Sequence, residues 1–181
     1  ETARHPEACE RIRKEGEATY GDGEPTANDY AQLAYTRAVI QEVMRLYPPI
    51  WALMRVASKP DVIDGKEIKV GDRVTLFAYG VHHSPKYWDN PEEFRPERWL
   101  GDAARKRKPY TYLPFGGGKR SCIGGAMSQV ENTLALSMLL RRFPPSAACR
   151  NHRRQLKQKT LTHCSPQPIT PCLVWKPRAF A

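Results

Sequence analysis

The stretch PFGGGKRSCIGG, from Pro114 to Gly125, surrounds one cysteine, Cys122, with five glycines, two cations and an aromatic ring. A structural cysteine behaves as a small hydrophobe and needs none of these neighbours. Glycines let the backbone adopt positive φ and let another group approach closely. Cations and the N-terminus of a following helix favour a thiolate over a thiol. The stretch therefore indicates a thiolate that is held against something large, flat or anionic.

Composition and charge limit the class of protein. The chain has 181 residues and is 40% hydrophobic, which is enough for one domain with a core and too much for a disordered chain. The formal net charge is +10, but residues 144–181 hold seven Lys/Arg and no Asp/Glu. A nucleic-acid-binding protein spreads basic charge over a folded face, so we expect no nucleic-acid partner. The five cysteines form no C-x-x-C pair, which argues against a disulfide framework.

Hydrophobic periodicity predicts a mainly α fold with small β-sheets. Apolar residues cover a wide arc of the last predicted helix, so we expect that helix to be largely buried. The predicted order is helix Arg4–Glu15, loop Gly16–Asp29, helix Tyr30–Tyr47, small strand pairs around turns at Asp64-Gly65 and Gly71-Asp72, and helix Gly124–Phe143.

Two further motifs precede the cysteine stretch. Glu42 and Arg45 lie three apart on one predicted helix, a spacing that alone indicates only a surface ion pair. FRPERW, at residues 94–99, would alone be a proline-broken loop, although Arg98 could supply Glu42 with a second cation. The cysteine stretch is more specific, since F-x-x-G-x-R-x-C-x-G is filled at every fixed position.

Together, and in this order, the three motifs resemble the cytochrome P-450 family of haem-thiolate monooxygenases. The resemblance covers most of the chain, from about Thr2 to Phe143. It implies the cytochrome P-450 fold, represented by its C-terminal part on the proximal side of the haem. It also implies haem b (iron protoporphyrin IX) as the cofactor.

The resemblance assigns roles to residues around the haem. Cys122 would be the proximal iron ligand, Phe115 would pack by its sulfur, and Arg120 would contact a haem propionate. Arg55 would contact another propionate, but it fits a solvated strand cation equally well. The residues that the resemblance places against the cofactor are Arg55, Phe115, Gly116, Arg120, Ile123 and Gly124.

Other residues take structural or substrate roles by the same resemblance. Glu42, Arg45 and Arg98 would form a buried cluster that locks the cysteine-side scaffold. Trp51, Leu53 and Met54 would line the substrate site, which implies an apolar small-molecule substrate; the alternative is that they are plain core.

The resemblance also implies an electron-transfer partner, either a ferredoxin or a flavoprotein reductase. The basic run ARKRK, at residues 104–108, could dock it, although a solvated charge run is the simpler interpretation. The compartment stays open between cytoplasmic and membrane-associated, with any anchor in an N-terminal region that this chain lacks.

Two departures from the family limit the expectation. The family's oxygen-activating helix lies upstream of the matched segment, and the chain opens on a helical pattern without Met. We therefore interpret residues 1–143 as the C-terminal half of such a domain, incomplete for catalysis, and assign no catalytic residue. Residues 144–181 do not resemble the family's closing strands, and our hypothesis for this divergent basic tail is a frameshifted or disordered end.

Three alternatives stay open from sequence alone. One is a haem-thiolate isomerase or dehydratase that does not use O₂, which an upstream helix without an acid–Thr pair would favour. A second is a non-catalytic haem-binding remnant. A third, a basic nucleic-acid-binding module, leaves the Cys122 stretch unexplained.

Overall fold

A computed structural model describes residues 1–143, so the predicted tail at 144–181 lies outside the described residues. The fold is mainly helical with two small antiparallel sheets, as predicted. Four short 3₁₀ helices, Thr2–Arg4, Ala27–Ala31, Pro96–Trp99 and Gly118–Arg120, separate the main elements. Those elements are α1 (Pro6–Tyr20), α2 (Ala34–Leu46), β1 (Leu53–Val56), β2 (Asp61–Ile63), β3 (Lys66–Ile68), β4 (Arg73–Leu76), α3 (Ala78–His82), α4 (Gly101–Arg105) and α5 (Gly125–Arg142).

The described chain divides into two compact units. The first unit contains residues 1–43, 93–107 and 123–143, and the second contains 44–92 and 108–122. The first unit contains an apolar cluster in which side chains of α1, α2 and α5 meet. Its buried members are Ala8, Cys9, Ile12, Tyr35, Val39 and Leu140.

Helix α1 ends at Tyr20, beyond the predicted end at Glu15, because of how it packs on α5. A Cβ at Gly16 would lie 2.7 Å from Ser137 Oγ, so only glycine permits this approach. The Tyr20 hydroxyl hydrogen-bonds to the same Ser137 Oγ at 2.8 Å. The first turns of the predicted loop are therefore helical, because tertiary contacts outweigh the low helix propensity of glycine.

Helix α2 begins at Ala34, later than predicted, and its N-terminus is capped from α1. The Glu15 carboxylate accepts the backbone N–H groups of Tyr35 at 2.6 Å and Thr36 at 2.8 Å. It also accepts the Thr36 hydroxyl at 2.7 Å. Free N–H groups and the helix dipole make this end of a helix favourable for a carboxylate. The contact fixes the start of α2 against α1.

The strands of the second unit pair as two separate ribbons. The Asp64-Gly65 turn joins β2 to β3, with Asp61 opposite Ile68. The turn at Gly71 instead directs β4 back to β1, where Leu53 lies opposite Leu76. Gly71, at φ +90°, donates its N–H to the Ala57 carbonyl at 2.9 Å, which extends that pairing past the end of β1.

The expectation that the last helix is largely buried is wrong for the described residues. Within α5 the buried residues are Gly125, Thr133, Ser137 and Leu140. Met127 is 65% exposed and Leu139 is 56% exposed. The close approach to α1 uses small side chains such as Ser137, so much of the apolar arc contributes no burial.

In the first unit a buried carboxylate on α2 holds the proline-rich segment at 95–99. Glu42 is 0% exposed, and its carboxylate accepts Trp99 Nε1–H at 2.8 Å and the Arg95 backbone N–H at 3.0 Å. Arg98 Nε lies 3.4 Å from the same carboxylate. Arg107 covers the Trp99 ring at 3.7 Å and donates to the Arg98 carbonyl at 3.0 Å. The Glu42 carboxylate thus holds residues 95–99 directly, and Arg107 adds contacts to two of those residues, Arg98 and Trp99.

In the second unit a buried cation on the same helix holds a different segment. Arg45 is 0% exposed and donates from Nη1 to the carbonyls of His82, at 2.8 Å, and Pro91, at 2.7 Å. Its guanidinium lies 5.1 Å from the centroid of the Trp88 ring. Arg45 therefore joins both ends of the segment from His82 to Pro91 through main-chain acceptors.

Among the helices of residues 1–143, none combines the length and the apolar character that a bilayer span requires.

We predict that Glu42→Ala lowers the free energy of unfolding by about 3–5 kcal/mol, because Arg98, the Trp99 indole and a backbone N–H would lose a buried acceptor. The variant should also fail to incorporate haem. Urea unfolding followed by circular dichroism, with haem content from absorbance, measures both.

The matched control is Glu97→Ala, which removes an exposed carboxylate that pairs with Arg11. An exposed pair contributes less than about 1 kcal/mol. Equal unfolding free energies for Glu42→Ala and Glu97→Ala, or full haem content in a soluble Glu42→Ala protein, would contradict the role of Glu42.

Candidate functional site around Cys122

The loop that carries Cys122 is closed by its own backbone. Cys122 donates its N–H to the Phe115 carbonyl at 2.9 Å, and Ser121 donates to the Gly118 carbonyl at 3.1 Å. The described residues contain two free cysteines, of which Cys9 is buried and Cys122 is exposed. The loop therefore presents its thiol at a surface, on a backbone that hydrogen bonds within the loop hold in place.

Two glycines of this loop have conformations that other residues rarely adopt. Gly116 has φ +73° and Gly118 has φ +70°. A Cβ at Gly116 would also lie 3.2 Å from Cδ1 of Leu53, so the loop passes close to strand β1. Both the positive φ and the lack of room for a Cβ explain why residue 116 is a glycine. The loop therefore lies close to the Leu53 side chain.

The remaining loop residues differ in exposure. Arg120 is exposed, Phe115 and Gly124 are half-buried, and Ile123 is fully exposed at 104%. Helix α5 begins at Gly125, three residues after Cys122, as the sequence predicts for a helix that follows the thiol. The thiol of Cys122 and the side chain of the next residue, Ile123, are thus both exposed.

The residues predicted to face a substrate lie on or before strand β1. Trp51 is 63% exposed and Met54 is 64% exposed in the structure of this chain. The Trp51 ring meets Phe77 edge-on, with the centroids 6.1 Å apart. Arg55 is exposed, and its Nη1 donates to the Met54 carbonyl at 2.9 Å.

The three predicted structural charges are all largely buried. Glu42 and Arg98 contact each other in the first unit, and Arg98 is 9% exposed. Arg45 contacts the carbonyls of His82 and Pro91 in the second unit.

Sequence reasoning missed His82, which lies at the end of α3. His82 is 0% exposed, and its Nε2 accepts the backbone N–H of Leu113 at 2.8 Å. Burial lowers the pKa of His82 to about 4, while the backbone of Arg45 opposes that shift and the charges of Arg45 and His83 add to it. The pair His82-His83 is visible in the sequence, but no pattern there separates the buried ring from its neighbour.

A family model described as Cytochrome P-450 matches residues 1–172. Cytochrome P-450 4A2 of Rattus norvegicus is 42% identical over 143 residues, which cover 78% of this chain and 28% of the relative. Cyclooctat-9-en-7-ol 5-monooxygenase of Streptomyces melanosporofaciens is 37% identical, over 77% of this chain and 30% of its own length.

A plant relative matches over a similar span. Protein LUTEIN DEFICIENT 5, chloroplastic, of Arabidopsis thaliana is 38% identical over 76% of this chain and 24% of the relative. The chain thus spans between 24% and 30% of the length of these curated relatives. The family model covers most of the chain. The chain therefore belongs to the cytochrome P-450 family.

Proposed function

We propose that this chain supplies the thiolate-ligand side of a haem-thiolate monooxygenase, with Cys122 as the ligand of the iron of haem b. The observation that carries the proposal is the exposed Cys122 thiol at the end of a glycine loop closed on the Phe115 carbonyl. Cys9 is buried and its thiol donates to the Thr2 carbonyl at 3.0 Å, so it does not compete for the role. Family membership and a relative named a monooxygenase support the reaction type.

The residues of the loop fit a flat iron-bearing ring. The loop supplies a single thiolate donor, Cys122, which would hold the iron of such a ring. The exposed Ile123 side chain offers an apolar surface next to the thiol, and Gly116 keeps the loop free of a side chain near Leu53. Arg120 and Arg55 are exposed cations that would pair with the ring's propionates.

The haem and the residues of this chain would supply different parts of the chemistry. When bound, haem with a thiolate ligand activates O₂, and this family is the usual example of a thiolate that favours O–O cleavage. Cys122 would hold the iron through Sγ, and the thiol proton would leave Sγ when it does so. The backbone N–H of Cys122 is already donated to Phe115, so it holds the loop shape.

The substrate in this proposal is an apolar organic molecule. Trp51 and Met54 expose large apolar side chains, and Leu53 lies against the Cys122 loop at Gly116. Each apolar side chain that a ligand covers contributes roughly 1.5–3 kcal/mol when fully buried.

The electron donor in this proposal is a ferredoxin or a flavoprotein reductase that docks on the basic run at 104–108. Arg105 and Lys106 are exposed, whereas Arg107 is committed to the Trp99 ring and the Arg98 carbonyl. Arg105, Lys106 and Lys108 are thus the exposed cations of this run, and Arg105 Nη1 also lies 3.8 Å from the Asp102 carboxylate.

We predict that the haem-loaded chain, reduced and exposed to CO, shows a strongly red-shifted Soret band that Cys122→Ala abolishes. Cys9→Ala is the matched control and should keep the band, because Cys9 is buried away from the surface. A band that survives Cys122→Ala would overturn the ligand assignment, and the absence of a band from every variant would contradict thiolate ligation of haem by this chain.

We predict that Trp51→Ala weakens binding of an aliphatic hydrocarbon to the haem-loaded chain about tenfold, which equals about 1.4 kcal/mol of lost apolar contact. A Soret titration measures the dissociation constant. Val62→Ala, which truncates a 62% exposed apolar residue on β2, is the control and should leave binding unchanged. Equal effects of the two substitutions would remove Trp51 from the substrate site.

We predict that reduction of the haem-loaded chain by a ferredoxin or a flavoprotein reductase slows as salt is raised, since charge steering is screened. The double substitution Arg105→Ser with Lys106→Ser should flatten this salt dependence in stopped-flow measurements. Lys66→Ser with Lys69→Ser, two exposed lysines of the second unit, is the control. Rates that ignore salt, or an unchanged slope in the Arg105 and Lys106 variant, would exclude docking on this run.

A further inference from the structure

The imidazole of His82 accepts a hydrogen bond that constrains its protonation state. Its Nε2 lies 2.8 Å from the backbone nitrogen of Leu113, which can only donate. A ring nitrogen that accepts carries no proton, so the proton of the ring is on Nδ1 and the imidazole is neutral. His82 is 0% exposed, so water cannot replace the contact without local opening.

The main chain of His82 is anchored separately from its ring. The His82 carbonyl accepts Arg45 Nη1 at 2.8 Å. The ring and the carbonyl of one residue therefore connect two parts of the second unit, the buried Arg45 and the segment that contains Leu113.

Leu113 is the residue through which this connection reaches the Cys122 loop. It is 8% exposed, and its carbonyl accepts the N–H of Gly116 at 3.2 Å. Its N–H goes to His82, so both main-chain groups of Leu113 are engaged. The neighbouring Thr111 hydroxyl donates to the Lys108 carbonyl at 2.8 Å, which holds the chain just before Leu113.

We propose that His82 is a positioning residue that fixes the start of the Cys122 loop through the Leu113 N–H, and that it does so only as a neutral imidazole. Only the effect of His82 on the iron ligand, Cys122, rests on the proposed function. The anchoring of Leu113 is a property of the chain itself.

Acid should release this anchor. A protonated ring would point an N–H at the Leu113 N–H, where two donors face each other. The groups that face His82 are Arg45 of α2, His83 next to it in the chain and the Tyr112 ring at 5.3 Å. Arg45 and His83 both disfavour a further positive charge, and burial holds the pKa of His82 near 4 against an ordinary value of 6.5.

The direction of the pH dependence follows from this lowered pKa. Between pH 6.5 and about 4 the unfolded chain binds a proton at His82 that the folded chain does not. In this window the contribution of His82 to the folding equilibrium constant therefore falls about tenfold each time the pH is lowered by one unit. Above pH 6.5 His82 adds no pH dependence, because both states are neutral there.

The test uses the full 181-residue chain without haem and three variants. His82→Leu removes the acceptor, whereas His82→Gln keeps an oxygen that can accept the Leu113 N–H but does not titrate. His83→Gln is the matched control, because His83 is half-buried and contacts the Tyr79 carbonyl through Nδ1 at 3.0 Å. The measurements are hydrogen exchange at the Leu113 amide and urea unfolding from pH 4 to 8.

The expected result is that His82→Leu speeds Leu113 exchange at least tenfold over the His83→Gln control. His82→Gln should keep most of the protection and should flatten the unfolding profile between pH 6.5 and 4. Leu113 exchange in His82→Leu equal to that of the control would overturn the proposal, and so would a wild-type profile that matches that of His82→Gln. If His82→Leu does not fold, the unfolding profiles of the wild type and His82→Gln between pH 6.5 and 4 still test the proposal.

A final measurement separates this inference from the haem proposal. The haem-loaded wild type and His82→Gln are compared as CO complexes while the pH is lowered from 6.5 to 4. Earlier loss of the red-shifted band in the wild type than in His82→Gln supports the link to Cys122. If both proteins lose the band at the same pH, His82 anchors Leu113 but does not affect the ligand Cys122. That result would leave the assignment of Cys122 as the iron ligand untouched.

Discussion

Two fully buried charges on helix α2 are the constraint on which the arrangement of the irregular segments depends. Glu42 and Arg45 are each 0% exposed, and a buried charge is stable only where hydrogen bonds and opposite charge compensate its lost hydration. Around Glu42 the compensating groups come from residues 95–99 and include a backbone N–H and an indole. Around Arg45 they include the carbonyls of His82 and Pro91. Proline-rich segments with little regular structure are thus held by side chains of a regular helix.

The candidate site depends on this arrangement through the backbone. Arg45 holds the carbonyl of His82, His82 holds the N–H of Leu113, and Leu113 accepts the N–H of Gly116. Cys122 then closes the loop on its own backbone. A ligand that must meet a metal at one fixed position benefits from such a series of short-range constraints, because a small displacement of the ligand atom costs affinity. The loop itself supplies the exposed thiol, and the buried residues of the second unit supply its position.

The sequence predicts the parts of this molecule that have local signatures. The Cys122 loop before a helix and the turn at Asp64-Gly65 are found where residue type and spacing place them. Glu42 is buried as the family resemblance implies, whereas its spacing from Arg45 alone indicates only a surface ion pair. The extent of α1 could not be predicted, because Gly16 has a low helix propensity and its close approach to Ser137 is a tertiary contact that the sequence does not show. The role of His82 was equally hidden, since it depends on an acceptor for a backbone N–H 31 residues away.

The claim that Cys122 is the iron ligand is tested most directly by iron K-edge X-ray absorption of the ferric haem-loaded chain. The account predicts a sulfur scatterer in the first coordination shell of the wild type and of Cys9→Ala, and its loss in Cys122→Ala. The exposed thiol of Cys122 and the buried thiol of Cys9 make this an unambiguous pair of substitutions among residues 1–143. A sulfur shell that persists in Cys122→Ala, or one that is absent from the wild type, would contradict the account.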